Sequence, residues 1–470
     1  MRKILLRATV NPLSDHPYFE VLTNNYLGNN SGNLLFPFSI MKALMMEDVT
    51  IDTNNKYSYN DEEIEIINSE YDCYIVALAN AFREDFIPNL KKLTASIRRI
   101  KIPCVVVGVG VQAAYEPDFS RGFPFDDAVK EFVAAVLDKS ASIGVRGELT
   151  DAYLRKLGFS QSDVIGCPSM FLMGDSLPFR EKKELSEELQ VSVNASSGMP
   201  YQYLKLWEKA KKEFPNHWFV PQENKEMQLM YAGVPFPERF KGQKNLYPND
   251  LARPLYAEDR VRFFTNVPSW LSFMQNMDFS FGTRIHGNIA AVLGGAPTFI
   301  FASDSRVREL ASYHKIPYMH VGDIQDHTSI SRIYEETDFS VVQKGHQERF
   351  RHYLDFLDHN GIKHISAEEW RDCRFEREAA AIRWREPLHT ITSVSKEEQA
   401  ERLTLFGKYM TDQVEHLKEE NKKQKKCVQL ENDLKKSRED VKKPDKEKNS
   451  QAENHQASLS LGKRLKNLFK

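Results

Sequence analysis

An arginine and a histidine stand two residues apart in "FGTRIHGNIAAVLGGAPTFIFASDSRVREL", residues 281–310. The run before them is strand-like and the run after them is a helix of small and apolar residues, so Arg284 and His286 fall at a strand-to-helix junction. Backbone N–H groups at a helix start are unpaired and the helix dipole is positive there, which favours an anion. The arginine adds a planar fork suited to phosphate or carboxylate. The histidine adds a proton that moves near neutral pH. Thr283 can act as turn or cap, and Gly287 lets a ligand approach the backbone closely. The same spacing, taken alone, also fits an arginine paired with a structural acid and a histidine satisfied at the junction.

The elements that must position this pair follow from the alternation of short apolar runs with helix-like segments, the pattern of parallel sheets with crossover helices. Strand runs are expected at residues 4–10, in "DCYIVALANAF" from Asp72, "PCVVVGVGVQ" from Pro103, "ASIGVRGE" from Ala141 and "DVIGCPSMFL" from Asp163. A second set comprises "VSVNAS" from Val191, "HWFVPQ" from His217, "VRFFTN" from Val261, "MDFSFGTRIHG" from Met277, "APTFIFASD" from Ala296 and "PYMHVGD" from Pro317. Helical spacing covers residues 128–139 and 149–157. The polar stretch from Gly174 separates the two sets. The expected class is α/β with two Rossmann-like lobes, residues 1–183 and 184–365, and a cleft between them where ligands meet the carboxyl ends of the strands. A connecting helical segment, 366–395, and a charged tail, 396–470, follow.

Composition narrows the function classes. With 470 residues, 41% hydrophobic and 28% charged, the chain has room for two cores. A formal net charge of −2 argues against a nucleic-acid partner. Five scattered cysteines without a CxxC pair fit a reducing compartment and give no metal-ligand spacing. No apolar run reaches the roughly 18 residues of a membrane-spanning helix, and the amino-terminal apolar segment is too short for a signal peptide. A cytoplasmic protein is expected. In the tail, Leu403, Phe406, Met410, Val414 and Leu417 recur at three- and four-residue spacings and Val428 continues the series after polar Asn421 and Gln424, which suggests homo-oligomerisation through 403–428 or a solvated single helix. The last residues, "LSLGKRLKNLFK", have the makeup of a basic amphipathic helix that lies on an anionic membrane surface or docks on the protein itself.

The R-x-H-G element, with its small-residue helix, the G-x-P strand entry and basic Arg306, resembles the signature of the polysaccharide pyruvyl transferases. "ASIGVRGELTDAYLRKLGF", "VIGCPSMFL" and "NNYLGNNSGNLLF" are similar, in order, to further segments of that family. The resemblance spans roughly residues 18–320. Ile285 stands where leucine is usual, Gly147 where an acid often follows the first arginine, Cys167 where an aspartate is common, and Arg306 where lysine is usual.

The resemblance implies a GT-B-like pair of lobes that takes phosphoenolpyruvate as donor substrate and a sugar, or a lipid-linked oligosaccharide, as acceptor. No cofactor and no metal is called for. Arg146, Arg284 and Arg306 are the expected cations for the donor's phosphate and carboxylate. His286 is the expected acid for the enol methylene carbon, kept protonated by the neighbouring anion. Gly28, Asn29, Ser31 and Gly32 shape a loop over the cleft, or an ordinary surface turn. No residue is assigned as base. The tail would hold such an enzyme peripherally on the inner face of the plasma membrane. Two other readings remain open: a GT-B-like glycosyltransferase using a nucleotide sugar, and a catalytically idle scaffold in a glycan assembly.

Overall fold

Four strands, β1 (Arg2–Arg7), β2 (Val49–Asn54), β3 (Cys73–Ala77) and β4 (Cys104–Val107), pair in parallel in the order β2-β1-β3-β4. The structure, a computed structural model, describes residues 2–240 and 243–441. β3 and β4 are buried along their whole length, as strands covered on both faces by crossover helices must be. β5 (Ile143–Val145) and β6 (Ser162–Val164) pair with each other. A bridge between Val109 and Val145, with Arg146 N donating to Val109 O at 3.0 Å, carries the sheet on from β4 to β5. The strands of the first lobe therefore run 2-1-3-4-5-6.

The second lobe repeats the pattern. β7 (Val191–Asn194), β8 (His217–Phe219), β9 (Phe279–Gly282), β10 (Thr298–Ala302) and β11 (Tyr318–His320) are ordered β11-β10-β9-β7-β8, all parallel. In both lobes the first strand of the lobe pairs on one side with the second and on the other with the third. The direction of winding thus reverses beside β1 and beside β7, the places where open α/β sheets bind ligands.

Most expected strands are present, with two differences. Val261 and Phe263 make only isolated bridges, to Phe219 and Leu388, so "VRFFTN" is not a strand. β2, with the alternating sequence VTIDTN, was not expected; its polar positions lie at a sheet edge. The helices expected at 128–139 and 149–157 are Asp126–Leu137 and Glu148–Lys156.

The lobe boundary at residue 365 needs a correction. The helix His346–His359 packs on the first lobe: Phe171 stacks on Tyr353 at 5.3 Å, Ser142 N donates to Asn360 Oδ1 at 3.1 Å, and Ile365 N donates to Ala43 O at 2.9 Å. The chain thus crosses back to its first lobe before residue 346, because apolar positions of this helix match a face left open there. The segment 366–395 contributes the helix Arg374–Ala381, whose Phe375 meets Phe38 at 4.8 Å.

The chain up to Ser395 is one compact unit, and the helix Lys396–Val441 belongs to a second. On that helix Leu403, Met410, Val414, Leu417 and Val428 are exposed. The basic amphipathic segment expected at the carboxyl end lies outside the described residues. No helix among the described residues is long and apolar enough to cross a membrane.

Candidate active site

The carboxyl ends of β1, β3 and β9 face one cavity of about 250 Å³. Five arginines line it: Arg7, Arg83 and Arg146 from the first lobe, Arg284 and Arg306 from the second. Sequence placed Arg146, Arg284, Arg306, His286 and Gly28 at the site, and all five line this cavity. Arg7, Asn80, Arg83 and Gln222 also line it and carry no motif.

Two expected residues lie elsewhere. Asn29 is exposed, with φ +71°, and its side chain pairs with Asn224 at 3.4 Å instead of entering the cavity. Gly287 does not line the cavity: a Cβ there would run into the amide of Gln222 and the side chain of Asn194. Its lack of a side chain lets the helix Ile285–Leu293 pack against those two residues, a close approach between protein segments and not toward a ligand.

That helix begins as an anion site should. Thr283 N donates to Asn194 O at 3.0 Å, Arg284 N donates to Asn194 Oδ1 at 2.8 Å, and Arg284 occupies the N-cap position. The N-cap residue's own side chain makes no capping hydrogen bond and Thr283 Oγ1 has no partner, so of the turn and cap roles open to Thr283 the cap is not made. The first-turn N–H groups therefore open toward the cavity wall formed by Thr283, Arg284, Ile285 and His286. Gly32 packs directly on this end, since a Cβ there would lie 2.8 Å from His286 Nδ1.

The arginines differ in how they are balanced. Arg284 forms an ion pair with Glu223, which stands at the start of the helix Asn224–Ala232. Burial, and then Arg306, pull Arg284 down to about 10. Arg306 meets Asp304 at 3.1 Å. Arg83 meets Asp85 at 2.7 Å.

Arg146 is fully buried, donating from Nε to Gly108 O at 2.9 Å and from Nη1 to Asn80 Oδ1 at 3.2 Å, and its Nη2 has no partner. Burial disfavours its charge. Arg7 is likewise 9% exposed, its guanidinium carbon 4.1 Å from the centre of the Tyr57 ring and its Nε unpartnered. Neither Arg7 nor Arg146 has a carboxylate partner among the described residues.

His286 shares this wall of the cavity. It is buried, with Nε2 3.8 Å from Cys167 Sγ. Burial, followed by the fields of Arg146 and Arg306, pushes it down to about 3. Burial is the first cause and the fields of the two arginines add to it, so the imidazole is held neutral at pH 7; the expected cation belongs to the state with an anion beside it.

Gly147 and Cys167, two of the four departures from the family pattern, have defined surroundings. A Cβ at Gly147 would lie 2.9 Å from Glu309 Oε2, so the facing lobe already brings a carboxyl to that spot. Glu309 accepts hydrogen bonds from Thr150 N at 3.1 Å and from Thr150 Oγ1 at 2.9 Å, tying the helix Ser305–Tyr313 to the start of the helix Glu148–Lys156. Burial raises it to about 7. The Cys167 thiol lies between His286 and Ser169 Oγ, the latter at 3.4 Å.

A family model described as polysaccharide pyruvyl transferase matches residues 19–305. No curated protein matches the chain. Among solved structures, a UDP-GlcNAc 2-epimerase from Neisseria meningitidis, bound to UDP-GlcNAc, is similar at 10% identity over 77% of this chain and 100% of that one, with a TM-score of 0.40. S. aureus MnaA with UDP matches at 10% identity over 76% and 98%, TM-score 0.37. A UDP-GlcNAc 2-epimerase from Methanocaldococcus jannaschii, in complex with UDP-GlcNAc and UDP, matches at 10% identity over 76% and 99%, TM-score 0.38.

Proposed function

The chain belongs to the polysaccharide pyruvyl transferase family, and on that premise we propose that it transfers the pyruvyl group of phosphoenolpyruvate to a sugar of a cell-surface polysaccharide or its lipid-linked precursor, forming a ketal. The observation that carries this reading is the meeting of Arg146, Arg306 and the uncapped RIHG helix start in one cavity at both winding reversals. Phosphoenolpyruvate brings a phosphate and a carboxylate on three carbons. A small polar cavity with several guanidiniums and a free helix end matches that charge.

The reaction requires a proton on the methylene carbon C3, after which C2 is electrophilic. An acceptor hydroxyl forms a C–O bond to C2 and loses its proton; the C2–O bond to phosphate breaks and inorganic phosphate leaves. A second hydroxyl of the same sugar then closes the ring and loses its proton. His286 is the proton donor in this reading. Burial, then Arg146 and Arg306, hold it neutral, and a donor with close to three negative charges outweighs the repulsion from those two arginines. Binding of the donor thus charges its own acid. The peripheral position on the inner face of the plasma membrane belongs to the same reading, since a lipid-linked acceptor is presented there.

The test is calorimetric titration with phosphoenolpyruvate, beside uridine and guanosine diphosphates, on wild type and Arg146→Gln. Phosphoenolpyruvate alone should bind, and the substitution should cost about 2–3 kcal/mol, the range for a hydrogen-bonded charged group. Binding of a nucleotide in its place would overturn the donor assignment.

A further inference from the structure

We propose that Arg7, which lies outside the segment matched by the family model, holds the phosphate of the donor together with Arg146. This inference rests on the donor reading above and deepens it, by adding a binding residue and by dividing the donor's two anions between two places in the cavity.

Position comes first. Arg7 is the last residue of β1, and β1 pairs with β2 on one side and β3 on the other, so its carboxyl end is the winding reversal of the first lobe. A ligand in such a sheet sits at that point. Arg7 Nη1 lies 3.4 Å from Ala77 O, at the end of β3, and Arg146 Nη1 donates to Asn80 Oδ1 three residues further on. The two guanidiniums flank one short segment, 77–80, which also lines the cavity.

Charge comes second. Arg284, Arg306 and Arg83 each have a carboxylate, in Glu223, Asp304 and Asp85. Arg7 and Arg146 have none among the described residues and both are at least nine-tenths buried; each has a buried N–H with no acceptor, Nε in Arg7 and Nη2 in Arg146, as Arg284 and Arg306 also do, so the missing carboxylate is what sets the pair apart. Contacts of Arg7 to Ala77 O and Asn55 O, at 3.4 and 3.5 Å, are long. A buried cation left with unmade hydrogen bonds is costly unless an anion completes it. Two guanidiniums without a contacting carboxylate, Arg146 feeling only the fields of the more distant Glu309 and Asp304, match the two charges of a phosphate monoester, and forked donors suit its oxygens. The single charge of the carboxylate is left to the start of the helix Ile285–Leu293, where the nearby arginine already has a carboxylate in Glu223, which it shares with Lys225.

The experiment titrates inorganic phosphate and phosphoenolpyruvate separately into the full-length wild type, Arg7→Gln and Arg284→Gln, with thermal melting of each variant as a folding control. Arg7→Gln should weaken both ligands at least tenfold, while Arg284→Gln should weaken phosphate less than threefold. Equal phosphate affinity in wild type and folded Arg7→Gln, or no phosphate binding by wild type, would overturn the inference. Phosphate binding that depends on Arg7 in a protein indifferent to phosphoenolpyruvate would instead sink the donor reading and leave the phosphate site standing. Should Arg7→Gln fail to fold, a crystal of wild type grown with phosphoenolpyruvate decides. Its phosphate within hydrogen-bond distance of Arg7 supports the assignment, and a phosphate bound out of reach of Arg7 refutes it.

Discussion

At the scale of single residues, protonation states follow from what surrounds each group more than from what the group is. His286 is held neutral first by burial and then by the fields of Arg146 and Arg306. If the donor charges it, binding of phosphoenolpyruvate at pH 7 takes up a proton, approaching one per site, and His286→Asn abolishes the uptake. Calorimetry in buffers of different ionisation enthalpy measures this directly; equal heats in all buffers would separate His286 from the proton transfer.

Glu309 gives a stability prediction of opposite origin. Its carboxyl is raised from 4.5 to about 7 in the folded protein, with burial as the first cause. The native state then holds a proton that the unfolded chain has released, so this group's contribution to stability falls as pH rises from about 4.5 to 7. Glu309→Gln should therefore gain on wild type by on the order of 2–3 kcal/mol between pH 4.5 and 7.5, measured by urea unfolding at both values. A difference between the two proteins that stays constant with pH would contradict the assignment.

At the scale of elements, the site exists because helix starts and strand ends approach closely. Gly32 opens the helix Gly32–Leu44, and its missing side chain lets that helix rest against the ring of His286. Gly32→Ala puts a methyl 2.8 Å from His286 Nδ1, so either the ring or the helix must shift. Overpacking of this kind costs about 1–3 kcal/mol. Turnover should fall at least tenfold if the displaced group is the proton donor as proposed, while phosphate affinity at the proposed Arg7–Arg146 site changes less. Parallel measurement of pyruvyl transfer and phosphate binding separates the two effects.

At the scale of the whole molecule, the two lobes wind alike, and the helix Ser305–Tyr313 of the second is tied to the first through Glu309 and Thr150 and through Ser305, whose Oγ accepts from Ala113 N at 3.0 Å. The helix Lys396–Val441 carries a different signal. Leu403, Met410 and Leu417 repeat every seven residues, and Val414, Asn421 and Val428 repeat every seven in the offset positions, with the apolar members exposed. Such a seam pairs with a second helix. The full chain is expected to sediment as a self-associated species, and Met410→Glu with Leu417→Glu to reduce it to the single-chain mass; an unchanged mass would assign the seam to solvent.

The sequence by itself determined the elements and the motif, because both are local. Continuous apolar runs marked β3, β4, β9 and β10 as buried strands, and the Arg284–His286 spacing marked a junction fit for an anion. β2 was not legible, since a strand with alternating polar residues at a sheet edge resembles a polar loop. Arg7 was visible only as a charge interrupting an apolar run; what makes it notable is the reversal of winding beside β1, a property of strand order. The balance of charges was decided by tertiary structure alone. Glu223 neutralises Arg284 across 61 residues of chain, Glu309 fills the place beside Gly147 from the other lobe, and Arg7 is left without a carboxylate. Pairing and burial depend on three-dimensional neighbours, and no spacing along the chain encodes them.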